Sequence, residues 1–126
     1  MQISNLDHLV LTVNNIQKSC DFYTQILGMQ LIEFAGNRKA LKFGAQKINL
    51  HEYKKEFEPK AAEPTPGSAD LCFLTDTPLH EVEALLKQNF VDIIQGPIDR
   101  TGANGPILSV YLRDPDNNLI EIANRI

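Results

Sequence analysis

The sequence predicts an α+β fold built as two βαβββ modules within a single domain of 126 residues. Three observations predict it. Each half holds short runs rich in β-branched and aliphatic residues around one segment with helical spacing. The halves also align with each other. A shift of 62 residues sets His8 on Asp70, Leu11 on Phe73 and Leu31 on Ile93, and a shift of 70 sets Leu41 on Tyr111, Leu50 on Ile120 and His51 on Glu121. Finally, both patterns fade between Lys54 and Gly67, where Pro59, Pro64, Pro66 and Gly67 gather. The change of offset, 70 − 62 = 8, places an insertion in the glycine-rich segment Gly96 to Gly105.

The first module, about 4–53, opens with a strand from Leu6 to Val13 that stops at Asn14-Asn15. Either asparagine caps a helix whose apolar face is Ile16, Cys20, Tyr23 and Leu27, and Gly28 closes it in the left-handed conformation. Strands follow at Gln30 to Ala35, Arg38 to Phe43 and Lys47 to Tyr53, with Gly36-Asn37 and Gly44-Ala45-Gln46 as turns. Residues 54–67 connect the modules. The second module, about 68–124, repeats the order: a strand from Ala69 to Thr75, then a helix capped by Thr77 with Pro78 in its first position and Leu79, Val82, Leu85 and Leu86 on its apolar face. Val91 to Ile94, Ile107 to Leu112 and Asn118 to Ala123 are its remaining strands.

Composition excludes several functions. Hydrophobic residues make up 43% and charged residues 22%, an ordinary globular balance. The net charge of −4 argues against nucleic acid as a partner. No apolar run approaches the ~18 residues of a membrane span. The start, Met1-Gln2-Ile3-Ser4-Asn5, has neither the basic nor the apolar part of a secretion signal, so a cytoplasmic location is expected. Cys20 and Cys72 lie in apolar-patterned segments and read as reduced core residues.

The two offsets single out one polar residue on the first and last strand of each module: His8, His51, Asp70 and Glu121. Burying such groups without partners costs several kcal/mol. A divalent cation at a shared point would satisfy all four, and two imidazoles with carboxylates suit Ni, Zn, Mn, Co or Fe(II). Each residue also has a plainer reading: a strand histidine is commonly satisfied structurally, Glu121 can face solvent, and Asp70 can cap the turn after Gly67-Ser68. His80, off the apolar stripe of its helix, reads as a surface residue. Arg100, within the glycine-rich segment, is a candidate clamp for a substrate carboxylate. That segment lacks the lysine and strand-to-helix setting of a phosphate loop. Asp114-Pro115-Asp116-Asn117-Asn118 reads as a turn, without the spacing of a calcium loop.

Leu6-Asp7-His8 opening a strand, Phe22-Tyr23 before Leu27-Gly28-Met29, and Arg113-Asp114-Pro115-Asp116 before Ile120-Glu121 resemble the vicinal oxygen chelate superfamily, which includes glyoxalase I, extradiol dioxygenases and bleomycin-resistance proteins. Arg38-Lys39-Ala40-Leu41, Asn49-Leu50-His51-Glu52, Lys55 to Ala61 and Arg100-Thr101-Gly102-Ala103 are most similar to the group called glyoxalase domain-containing protein five. The resemblance covers nearly the whole chain. It implies an open, cupped, eight-stranded mixed sheet with a divalent metal held by His8, His51, Asp70 and Glu121. It further implies a lyase or isomerase working through a metal-chelated, enediolate-like intermediate, with Glu121 or Asp70 as general base. An extradiol-type dioxygenase and a non-catalytic small-molecule binder are the alternatives. Glutathione-dependent members carry an arginine four residues after the first ligand, where this chain has Thr12. Members of this size usually pair, so a homodimer acting on a small-molecule substrate is expected.

Overall fold

The computed structural model describes all residues from Met1 to Ile126. The chain divides into two compact units, Met1–Pro66 and Gly67–Ile126.

In the first unit, β1 (His8–Val13) is followed by helix α1 (Ile16–Asp21), a π-helical turn (Phe22–Ile26), and strands β2 (Gln30–Phe34), β3 (Arg38–Phe43) and β4 (Gln46–Glu52). The Asn15 side chain accepts the Lys18 backbone N–H at 2.9 Å, the N-cap expected of that asparagine. The helix differs from the expected uniform face. The π turn shifts the register so that Phe22 and Tyr23 are both buried, at 8% and 0% exposure, while Leu27 is only half-buried. Gly28 has φ of +73° and ends the helix as expected.

The strands lie in the order β1-β4-β3-β2. β1 and β4 are parallel, which the intervening helix makes possible, and the other pairs are antiparallel. Alternation sorts the sheet into two faces. Leu11, Val13, Leu41, Ile48 and Leu50 form the buried face with Cys20, Phe22 and Tyr23. The other face carries His8, Val10 and Thr12 on β1, Lys47, Asn49 and His51 on β4, Arg38 and Ala40 on β3, and Phe34 on β2.

The second unit repeats this arrangement with β5 (Asp70–Leu74), α2 (Leu79–Gln88), β6 (Gln95–Gly102), β7 (Gly105–Arg113) and β8 (Leu119–Arg125) in the order β5-β8-β7-β6. The eight strands are therefore divided into two four-stranded mixed sheets, an α+β fold. Leu86, Val110, Leu112 and Ile120 are among its fully buried side chains. Thr77 does not cap α2. Pro78 occupies the cap position, and Asn124 of β8 accepts the Leu79 N–H at 2.8 Å while donating to the carbonyls of Thr75 and Thr77, both at 2.9 Å. A tertiary contact has replaced the local cap, a substitution that helix-terminus signals in sequence cannot reveal.

The expected strand Val91 to Ile94 is not one. The glycine-rich segment Gly96 to Gly105, expected to hold an insertion, is mostly strand: Gln95 to Gly102 forms β6 and pairs with β7 through a two-residue turn at Ala103-Asn104. The hairpin depends on Gly102, where a Cβ would come within 2.9 Å of the Gly105 carbonyl oxygen. One further expectation fails: Cys72 is exposed on β5, whereas Cys20 is buried as expected. Val10 is 46% exposed because it lies on the open face.

Candidate active site

The open faces of the two sheets hold the polar residues the sequence singles out. His8 begins β1 and is exposed. Its Nδ1 lies 2.8 Å from Asp7 Oδ2, and the His8 hydrogen bond holds the Asp7 carboxyl below its ordinary value. An ionised carboxylate only accepts, so Nδ1 is the donor in this pair. This carboxylate–histidine pairing is how metal-binding imidazoles are oriented.

Asn49 stands on the same face. It pairs across the sheet with Val10, two residues along β1 from His8. The second unit has the same relation, because Glu121 pairs with Cys72, two residues along β5 from Asp70. Diagonal neighbours of this kind have Cβ atoms about 7 Å apart, within joint reach of one small ion for long side chains. His8 and Asp70 are thus equivalent, as the 62-residue shift anticipated, but the counterpart of Glu121 is Asn49 (121 − 49 = 72) and not His51. The 70-residue shift misplaced this strand by one same-face position. Asn49 is 6% exposed, and its Oδ1 is buried without a hydrogen-bond partner.

His51 lies one same-face position further on, opposite Thr12. It is 3% exposed, stacked edge-on against Phe57 with ring centroids 5.6 Å apart. Arg38 Nη2 is 3.5 Å from its Nε2. Guanidinium groups only donate, so the His51 Nε2 lone pair is turned toward Arg38. Burial, followed by the Arg38 charge, lowers the His51 pKa, against a smaller opposite effect of Glu56. His51 is therefore held neutral with its acceptor nitrogen engaged by a cation.

In the second unit, Glu121 is half-buried and accepts a hydrogen bond from the Tyr111 hydroxyl at 3.0 Å. Arg100 Nε donates to that hydroxyl at 2.9 Å, and its Nη1 donates to the Asp99 carbonyl at 3.3 Å. Arg100, expected as a substrate clamp, is hydrogen-bonded to Tyr111 and through it linked to Glu121. Tyr111 was missed in sequence because β7 reads as an apolar strand. Its register opposite Glu121 is what reveals it. Cys72 faces the same carboxylate, and partial desolvation of its sulfur, followed by the effects of Glu121 and Asp70, pushes its thiol up to about 12 although the residue as a whole is exposed. A recess of about 270 Å³ lies beside this group, lined by Cys72, Leu74, Gly102, Ile107, Glu121 and Arg125. Asp70 and His80 are exposed, the latter on α2 as expected. No three His, Cys, Asp or Glu side chains form a ligand cluster in the structure. No helix is long and apolar enough to cross a membrane.

The Glyoxalase/Bleomycin resistance protein/Dioxygenase superfamily profile matches residues 5–122. The chain belongs to this superfamily. Among superfamily relatives, Virulence protein STM3117 of Salmonella typhimurium is 56% identical over 126 residues, spanning 100% of this chain and 88% of that protein. Its crystal structure superposes with a TM-score of 0.98, covering 100% of both chains. Glyoxalase domain-containing protein RDO1 of Mycosarcoma maydis is 52% identical over 124 residues, 98% of this chain and 70% of the relative. The crystal structure of lactoylglutathione lyase from Agrobacterium tumefaciens is 18% identical, with a TM-score of 0.74 over 98% of this chain and 95% of that one, which speaks for the fold alone.

Proposed function

We propose that this superfamily member is a metal-dependent small-molecule enzyme, a lyase or isomerase, with His8 of the first unit and Asp70 and Glu121 of the second as its candidate metal ligands. The observation carrying the proposal is the repeated diagonal: His8 with Asn49 on one open face, Asp70 with Glu121 on the other. The donor chemistry fits a divalent ion. His8 has its Nδ1 engaged by Asp7, Glu121 is oriented by Tyr111, and the orphaned Asn49 Oδ1 is a further oxygen donor. When bound, such an ion would supply Lewis-acid polarisation of substrate oxygen. Asp70 or Glu121 takes up the substrate proton. Tyr111 and Arg100 fix the direction of the Glu121 carboxylate. His51 stands outside the ligand set, since its Nε2 faces the Arg38 guanidinium.

The test is calorimetric titration of EDTA-treated protein with Ni, Zn, Mn, Co and Fe(II), with circular dichroism to follow the fold. Glu121→Gln and His8→Ala each weaken metal binding about tenfold or more, in line with removal of a direct ligand. His51→Ala and His80→Ala leave it within about twofold. Equal affinity in wild type and Glu121→Gln would overturn the assignment.

The protein is further proposed to be a homodimer. β1 and β5 are edge strands of their sheets, and Val10 and Leu74 on them are 46% and 48% exposed. Light scattering at micromolar concentration should give twice the 14.1 kDa chain mass, and a monomer mass contradicts pairing.

A further inference from the structure

The open face of the first unit carries a cation that the metal site does not use. Arg38 begins β3, opposite Phe34 at the end of β2. Its guanidinium carbon lies 5.1 Å from the Phe34 ring centroid and 4.6 Å from that of Phe57, in the segment after β4. Two aromatic rings thus hold the guanidinium in place, leaving its N–H edges to donate. Of those donors, Nη2 meets only the neutral His51 at 3.5 Å, and Nε is buried with no hydrogen-bond partner. No carboxylate forms an ion pair with it within 4.0 Å. The nearby acid, Glu56, has a side chain only 3% exposed and pairs with Lys60 at 3.7 Å. A second cation, Lys47 Nζ, sits 4.2 Å from the same Phe34 ring.

Guanidinium groups that are half-buried and fixed normally face a carboxylate, because the desolvated charge needs an anion and the planar fork takes two oxygens at once. Here rings do the fixing, and no acid of the chain forms an ion pair with the guanidinium within 4.0 Å. The surroundings also define the rest of the ligand: Phe57 is 43% exposed and Val10 46% exposed on this face. We propose that the first unit binds a small organic carboxylate through Arg38, with the aromatic or apolar body of the ligand against Phe57. This binding requires no metal and stands apart from the ligand assignment above.

Benzoate is the probe, with benzyl alcohol as its uncharged isostere and acetate as the carboxylate without a ring. Each is titrated into EDTA-treated full-length protein at low salt by calorimetry. Benzoate binds in the millimolar range or tighter, and benzyl alcohol and acetate each bind at least tenfold and threefold more weakly, respectively. Arg38→Gln reduces benzoate affinity at least tenfold, and Arg38→Lys restores only part of the loss, because an ammonium lacks the fork. Glu121→Gln leaves benzoate binding unchanged, and Arg38→Gln leaves metal binding unchanged, so the two sites fail separately. If Arg38→Gln does not fold, the Arg38 Nε–Hε resonance of the wild-type protein serves instead, and it shifts on benzoate addition. Benzoate binding no tighter than benzyl alcohol, or an Arg38 resonance that benzoate does not move, overturns the proposal.

Discussion

Asn118→Ala should destabilise the second unit severely, and the loss can be worked from the turn that precedes β8. Asn118 is fully buried. Its Nδ2 donates to Asp114 Oδ2 at 2.8 Å, and its Oδ1 accepts the Ala69 backbone N–H at 2.8 Å. Asp114 Oδ1 in turn accepts the N–H groups of Asp116 and Asn118, both at 2.9 Å. Alanine removes a hydrogen bond to a charged acceptor, about 1.5–3 kcal/mol, and strands the Ala69 donor, about 1–3 kcal/mol. The sum is about 2.5–6 kcal/mol, a large share of the roughly 5–15 kcal/mol of a typical fold. For a chain of this length each kcal/mol lowers Tm by about 3–5 °C, so the melting temperature should fall by roughly 8–30 °C. Differential scanning calorimetry and urea unfolding measure it. Asn117→Gly is the control: Asn117 sits at φ of 65°, where glycine is at ease, so stability should hold. The stake is functional, because Asn118 ties the start of β8 to Ala69, the residue before Asp70, and so sets the register that pairs Asp70 with Glu121 on one face. A Tm drop below about 3 °C for Asn118→Ala would refute the reasoning that this turn is held by its side chains.

Two further outcomes are expected. Tyr111→Phe removes the hydroxyl that joins Arg100 to Glu121, so metal affinity should fall about tenfold in calorimetric titration while circular dichroism stays unchanged. His51 gives a pH dependence whose sign follows from its lowered folded-state pKa: the unfolded chain binds the proton more readily, so wild-type stability is full above the unfolded value of about 6.5 and declines as pH falls through it toward the folded value. Urea unfolding between pH 8 and 5 should show this decline, and His51→Asn should flatten it.

The α+β class and the doubled βαβββ order were legible in the sequence, because alternation and helical spacing are local and survive without knowledge of partners. The same holds for Asn15 as a helix cap, Gly28 as a helix end, His80 as a surface residue and the equivalence of His8 with Asp70. What sequence left out was decided across strands. A shift by two residues keeps every side chain on its face, so periodicity could not tell Asn49 from His51 as the partner of the first strand. Only the hydrogen-bond register of β1 with β4, set beside that of β5 with β8, makes the choice. The cap of α2 comes from Asn124, 45 residues from the N–H it satisfies, and Arg100 reaches Glu121 through Tyr111. The hairpin around Ala103-Asn104 was hidden for a related reason, since glycine-rich sequence reads as loop until the close approach of Gly102 to Gly105 is seen. Arg38 read as an ordinary strand charge. Its setting between Phe34, Phe57 and His51, without an ion-pair partner, arises from residues on separate segments that meet only on the folded face. Local pattern therefore determined which segments fold and how, while the pairing of side chains across strands, where a two-residue slip costs the pattern nothing, was left to the tertiary structure.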